Sequence, residues 1–132
     1  MIIDTNVYSA LDRGDPNAID VLKGQSSVNL TIISVGELRY GFINGNRKDE
    51  NEFRLGKFLS QNNVGILSPT LKTAELYGQM AAHCRQTGRA LSNNDLWIVA
   101  IASEADELLV TYDKDFSVLA DIMKDKLIIL SR

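Results

Sequence analysis

The chain has 132 residues, 45% hydrophobic and 23% charged, a size that suits one domain, residues 1–132, with a real core. Its net charge of −3 argues against a protein coated in basic surface for unspecific nucleic-acid binding, although grouped carboxylates can coexist with a basic rim. A lone cysteine, Cys84, excludes an internal disulfide. With no basic-then-apolar leader and no apolar run longer than Leu96 to Ala102, the expectation is a cytoplasmic protein without membrane association.

Short β-type runs alternate with longer helical ones, which predicts βα units and an α/β fold with a largely parallel sheet. Ile2-Ile3 reads as the end of strand one, and Thr5 to Leu11 as a short helix. Asp15-Pro16 opens the next helix, with proline where a missing N–H costs little, and the helix runs to about Lys23. Val28 to Ile33 is rich in β-branched residues and predicts strand two. Val35, Leu38 and Phe42 then recur at helical spacing, with Gly45 as a stop. Asn44 to Asn51 is polar and reads as a loop, followed by a helix from Glu52 to Gln61 and strand three from Val64 to Leu67. Leu71, Ala74, Tyr77, Ala81 and Cys84 mark one face of a long amphipathic helix that Gly88 ends. A loop from Arg89 to Asn94 leads to an almost wholly apolar helix, Asp95 to Glu104. Leu108 to Val110, short helical turns from Asp115 to Met123, and Leu127 to Leu130 complete a five-strand pattern.

Four acidic residues fall at strand ends or helix starts: Asp4, Glu37, Asp95 and Asp113. Each has a bland explanation. Ser34-Val35-Gly36-Glu37 matches a capping box, Asp95 suits a helix dipole, and Asp4 and Asp113 suit Asx turns. Their shared placement is harder to explain that way, because open parallel sheets bind ligands beyond the carboxyl ends of their strands. Carboxylates converging there without His or Cys would make a hard-cation site, able to hold two ions for in-line displacement at phosphorus. Other candidates are weaker. His83 and Cys84 are adjacent on a helix and do not face each other, Ser9 and Ser34 lack a histidine partner, and the glycines make no phosphate-binding fingerprint. Trp97 reads as core. Arg39, Arg47, Lys48, Arg54 and Lys57 read as a solvated face, with a phosphate-guiding rim as the alternative.

Four motifs, in this order and spacing, resemble the PIN-domain family and its VapC-like toxins: Ile2-Ile3-Asp4-Thr5-Asn6, Ser34-Val35-Gly36-Glu37-Leu38-Arg39-Tyr40-Gly41, Asn94-Asp95-Leu96-Trp97-Ile98-Val99-Ala100-Ile101-Ala102 and Leu109-Val110-Thr111-Tyr112-Asp113-Lys114-Asp115-Phe116. The resemblance covers essentially the whole chain. It implies a three-layer α/β/α fold around a parallel sheet of about five strands, and Mg²⁺- or Mn²⁺-dependent endoribonuclease activity. Asp4, Glu37, Asp95 and Asp113 would be the catalytic and metal-binding acids, supported by Thr5, Asn6 and Thr111. Asp113 is taken as the fourth acid because it is nearer the strand end, with Asp115 as the cap of the following turn. The resemblance further implies an RNA substrate, a homodimer, and a cognate antitoxin whose apolar side chains enter a groove involving Thr5 to Leu11 and Val35 to Ile43 while a basic residue reaches the acids. Two other readings stay open: an inactive PIN-like module that binds RNA or a partner, and a receiver-like phosphoacceptor, which would need an acid ending strand three where Leu67-Ser68 stands.

Overall fold

Five short strands form one all-parallel sheet in the computed structural model, which describes residues 1–132. They are β1 (Ile2–Ile3), β2 (Val28–Thr31), β3 (Val64–Leu67), β4 (Leu109–Thr111) and β5 (Leu127–Ile129), in the spatial order β3-β2-β1-β4-β5. The helices are α1 (Thr5–Asp12), α2 (Pro16–Leu22), α3 (Ile32–Asn44), α4 (Lys48–Leu59), α5 (Leu71–Thr87), α6 (Asn93–Ala105) and the single turn α7 (Ala120–Met123). Two 3₁₀ turns, Lys114–Leu119 and Lys124–Lys126, flank α7.

Side-chain alternation along each strand builds two cores. Ile3 and Val110 point into one apolar layer with Val7, Leu30, Val35 and Leu55. Their chain neighbours Ile2 and Leu109 point into the other, with Met80, Ile98, Val99 and Phe116. Because both faces are covered, the central strands are continuously apolar, the signature of a buried parallel sheet. Ile2 and Ile3 are both fully buried, which is worth roughly 1.5–3 kcal/mol for each side chain. β1 is therefore the centre of the molecule although it has only two residues.

The strand order places the reversal of winding at β1. β2 lies on one side of it and β4 on the other, in the registers Ile2↔Asn29 and Ile2↔Leu109. A crevice opens at such a switch point beyond the carboxyl ends of the strands. The same order removes the receiver-like reading, whose sheet runs 2-1-3-4-5. Here β3 is an edge strand, two places from β1.

Several boundaries differ from the sequence pattern for local reasons. β2 ends at Thr31 rather than Ile33, because Thr31 caps α3 by accepting the Ser34 amide at 3.1 Å. Ser34 is thus inside the helix, the expected capping box does not form, and Glu37 is released from capping duty. The polar stretch after Gly45 is helical from Lys48, with Asp49 and Glu50 in the first turn of α4 where the dipole favours acids. Ser92 caps α6, which starts at Asn93, two residues before the expected Asp95. On α5 the buried seam is Thr73, Met80 and Cys84, flanked by half-buried Leu76, Tyr77 and Ala81, while Ala74 and Leu71 face solvent. Trp97 is only half-buried and stacks on Tyr77, with ring centroids 4.3 Å apart. No helix is long and apolar enough to cross a membrane.

Candidate functional site

The backbone turns sharply after β1, and Asp4 occupies that turn as the N-cap of α1. One carboxylate oxygen accepts the Thr5 amide at 2.8 Å; the other accepts the hydroxyl of Thr111, at the end of β4, at 2.7 Å. Thr111 is fully buried, and its oxygen also accepts the Asp113 amide at 3.0 Å. One hydroxyl thereby fixes two acids from the adjacent strands β1 and β4. The Thr5 hydroxyl donates to Glu37 at 2.6 Å, and the Asn94 side-chain amide donates to the other Glu37 oxygen at 3.3 Å. Asn6 accepts the Tyr112 amide at 3.1 Å and ties α1 to the chain after β4. Thr5, Asn6 and Thr111 all hold the site in place, by different bonds.

Asp4, Glu37, Asp95 and Asp113 line one cavity of about 400 Å³ that has no apolar side chain in its walls. Asp113 also caps the following 3₁₀ turn, accepting the Asp115 amide at 2.9 Å. This corrects the expected division of labour: Asp113 does both tasks, and Asp115 neither caps the turn nor lines the cavity.

The electrostatics record the crowding. Burial raises the Asp4 pKa; the bonds from Thr111 and Thr5 oppose that, and the charges of Glu37 and Asp113 add to it. Asp95 is pushed up to about 6, chiefly by burial, against the hydrogen bond from Ser92 and with the added repulsion of Asp4, Asp113 and Glu37. Burial is the larger cause in both, and the neighbouring carboxylates push in the same direction. No three His, Cys, Asp or Glu side chains are already drawn into a geometry that could hold an ion. The donor set itself is oxygen-only, which suits a hard divalent cation that keeps several of its waters between itself and the protein.

Four polar residues of the site are not assigned to it by the sequence pattern, in which Ser9 reads only as a nucleophile without a histidine. Asn94 holds Glu37, while Ser9, Arg13 and Arg132 line the cavity. A signal for two of them was present: Thr5, Ser9 and Arg13 follow each other at spacings of four on α1 and its C-cap, opposite the buried Val7, Tyr8 and Ala10. The central basic stretch is a solvated face. Arg54 pairs with Asp12 at 3.0 Å and Arg39 with Glu52 at 3.4 Å. Half-buried His83 sits with Nε2 at 3.2 Å from the Val118 carbonyl oxygen, away from the acids.

A family model of the PIN domain matches residues 1–122. The chain belongs to the PIN domain family. Among its relatives is Ribonuclease VapC5 of Mycobacterium tuberculosis, 28% identical over 118 residues that cover 89% of this chain and 86% of the relative. The fold of this PIN domain matches a solved structure of VapBC2 from Rickettsia felis bound to a DNA fragment from the promoter, with TM-score 0.78 and 25% identity over 98% of this chain and 96% of that one. It also matches VapBC-5 of Mycobacterium tuberculosis, a member of the VapBC family of toxin-antitoxin systems. That match has TM-score 0.70 and 25% identity, covering 99% and 97% of the two chains.

Proposed function

We propose that this PIN domain is an endoribonuclease toxin that uses Mg²⁺ or Mn²⁺ and is neutralised by a cognate antitoxin. The observation that carries the reading is the convergence of Asp4, Glu37, Asp95 and Asp113 on one wholly polar cavity. Its relatives named as ribonucleases and as toxin-antitoxin complexes support it. A module that only binds a partner would account for Asp4 as the cap of α1 and acceptor of Thr111, but not for Glu37, Asp95 and Asp113 sharing its cavity, where their like charges repel unless a cation relieves them.

Asp4, Glu37, Asp95 and Asp113 would hold the cation. Bound there, it would supply Lewis-acid activation of a water and neutralise charge on the phosphate being cut. The chain's own residues do the positioning. Thr111 fixes Asp4 and the Asp113 backbone, and Thr5 with Asn94 orients both oxygens of Glu37. Fixing donors before the substrate arrives lowers the cost of reaching the productive geometry.

The antitoxin reading has its own surface. A groove lined by Ile32, Ile33, Gly36 and Tyr40 lies along α3 and continues into Glu37 and Asn94. It supports the expected involvement of α3 but shifts the other wall to α6, because the apolar residues of α1 are buried in the core or packed against it. An apolar antitoxin segment seated there could pass a guanidinium to the acids, where it would compete with the cation.

The test is cleavage of total tRNA and ribosomal RNA with Mn²⁺, with chelator, and in Asp4→Asn. We expect cleavage only by the native sequence with metal, and a loss in Asp4→Asn beyond the roughly 10–100-fold typical of residues that only support a metal site. Metal-independent cleavage, or equal rates in Asp4→Asn, would defeat the reading.

A further inference from the structure

We infer that Arg13 and Arg132 form a phosphate-holding subsite beside the acids, gripping a backbone phosphate of the RNA next to the one that is cut. The inference rests on the ribonuclease reading and adds to it the residues that place the strand. A cavity walled by four carboxylates repels RNA. A cation there relieves the repulsion at the reacting phosphate, but the neighbouring phosphates need cationic partners of their own. Arg13 and Arg132 are the only cationic side chains in that cavity.

Both guanidiniums are free to bind. Neither takes part in an ion pair or a side-chain hydrogen bond, whereas Arg39 and Arg54 are each paired with a carboxylate. They also share one flank. Asp15, held below the usual carboxylate range mainly by the Tyr112 hydroxyl, also feels the positive charge of Arg13 and Arg132. The Arg132 guanidinium lies 4.7 Å from the Tyr112 ring centroid, a cation–π distance. Tyr112 is buried, and its hydroxyl donates to Asp15 at 2.6 Å, so the platform under Arg132 is itself anchored. The Leu130 amide donates to the Thr111 carbonyl at 2.8 Å, carrying the chain after β5 past the end of β4 towards the cavity. Arg13 completes the polar stripe of Thr5 and Ser9, which extends about 12 Å along α1 at 1.5 Å per residue. The stripe thus leads from the residue that orients Glu37 to a guanidinium whose planar fork matches a phosphate.

The test measures binding and turnover separately, using a fluorescent pool of random 20-nucleotide RNA. Binding is followed by anisotropy in an Asp4→Asn background, with salt varied. Arg13→Gln and Arg132→Gln should each weaken binding roughly tenfold, as for a lost hydrogen bond to a charged group. Each should also reduce the slope of log K against log salt by about 0.7, the value for one phosphate contact on a single strand. Lysine at either position should restore the slope but not the full affinity. In the otherwise native chain the Gln variants should raise KM and leave kcat within about twofold, with unchanged melting temperature. Arg89→Gln, which removes a guanidinium outside the cavity, should change nothing. Unchanged affinity and salt slope in both Gln variants, while Asp4→Asn still abolishes cleavage, would overturn the subsite and leave the ribonuclease reading intact. A fall in kcat at unchanged affinity would also overturn it. If the native chain cuts neither this pool nor natural RNA with Mn²⁺, the ribonuclease reading fails and the subsite with it.

Discussion

Asp95→Asn separates the charge of the site from its chemistry. The Asp95 carboxyl is raised from 3.8 to about 6, so the folded chain holds this proton more tightly than the unfolded chain does. Between those values the folded state binds more protons, and acidification stabilises it; at pH 7 the ionised group costs stability. The whole shift would correspond to about 3 kcal/mol at 1.36 kcal/mol per unit. Asp95 is only half-buried, however, and sits in the first turn of α6 where the dipole favours an acid. Screening and the dipole together leave about 1 kcal/mol. In chelator at pH 7, Asp95→Asn should therefore be more stable than the native chain by about 1 kcal/mol, or roughly 2–6 °C in melting temperature for a domain of this size. The gap should close as pH falls towards 4. Urea unfolding of both proteins at pH 7, 5.5 and 4 measures this, and the difference between them cancels the carboxylates outside the cavity. Mn²⁺ should reverse the order at pH 7 by stabilising the native chain more than the variant. A variant less stable in chelator at pH 7, or a gap indifferent to pH, would refute the argument that burial beside other acids strains this carboxylate, and would make Asp95 a structural helix-start residue.

Thr111→Val keeps the shape of a fully buried side chain but removes the hydroxyl from both Asp4 and the Asp113 amide; we expect a loss of about 2–4 kcal/mol in denaturant unfolding at pH 7, together with a strong fall in cleavage. Gly65→Ala tests the packing beneath the edge strand: a Cβ there would meet the Asn29 side-chain oxygen at 2.6 Å, and Asn29 is held by Glu107 at 3.0 Å. Overpacking of this kind should lower stability by about 1–3 kcal/mol with kcat unchanged, measured by thermal melts and RNA cleavage.

The sheet was legible because buried parallel strands are runs of β-branched and apolar residues, and Ile2-Ile3, Val28 to Leu30 and Leu109-Val110 have no other plausible use. Asp4, Asp95 and Asp113 were legible from their positions at a strand end, in a first helical turn and after β4, whereas Glu37 reaches the cavity from the second turn of α3 and not from the helix start that the pattern suggested. What the sequence hid was the choice between competing short-range bonds. Thr31, Ser34 and Glu37 allow two caps for α3, and only the length of β2 decides in favour of Thr31. Asp113 and Asp115 both suit the turn after β4, and the Thr111 bond to the Asp113 amide selects the former. Arg132 was invisible for a different reason. It joins the cavity through the parallel pairing of β5 with β4, a relation between segments that no local pattern contains.

The pairing of β1 with β4 also sets when the site can exist during synthesis. The hydroxyl that fixes Asp4 belongs to Thr111, made 107 residues later, and Asp113 follows two residues after that. At about 5–20 residues per second, several seconds separate the two halves of the cavity. A ribosome-bound chain that ends before β4 has Asp4, Glu37 and Asp95 but no partner strand to hold the first of them at the switch point. The order of translation therefore delays assembly of the cavity until β4 has been made, and a product truncated upstream of Leu109 lacks the hydroxyl that fixes Asp4.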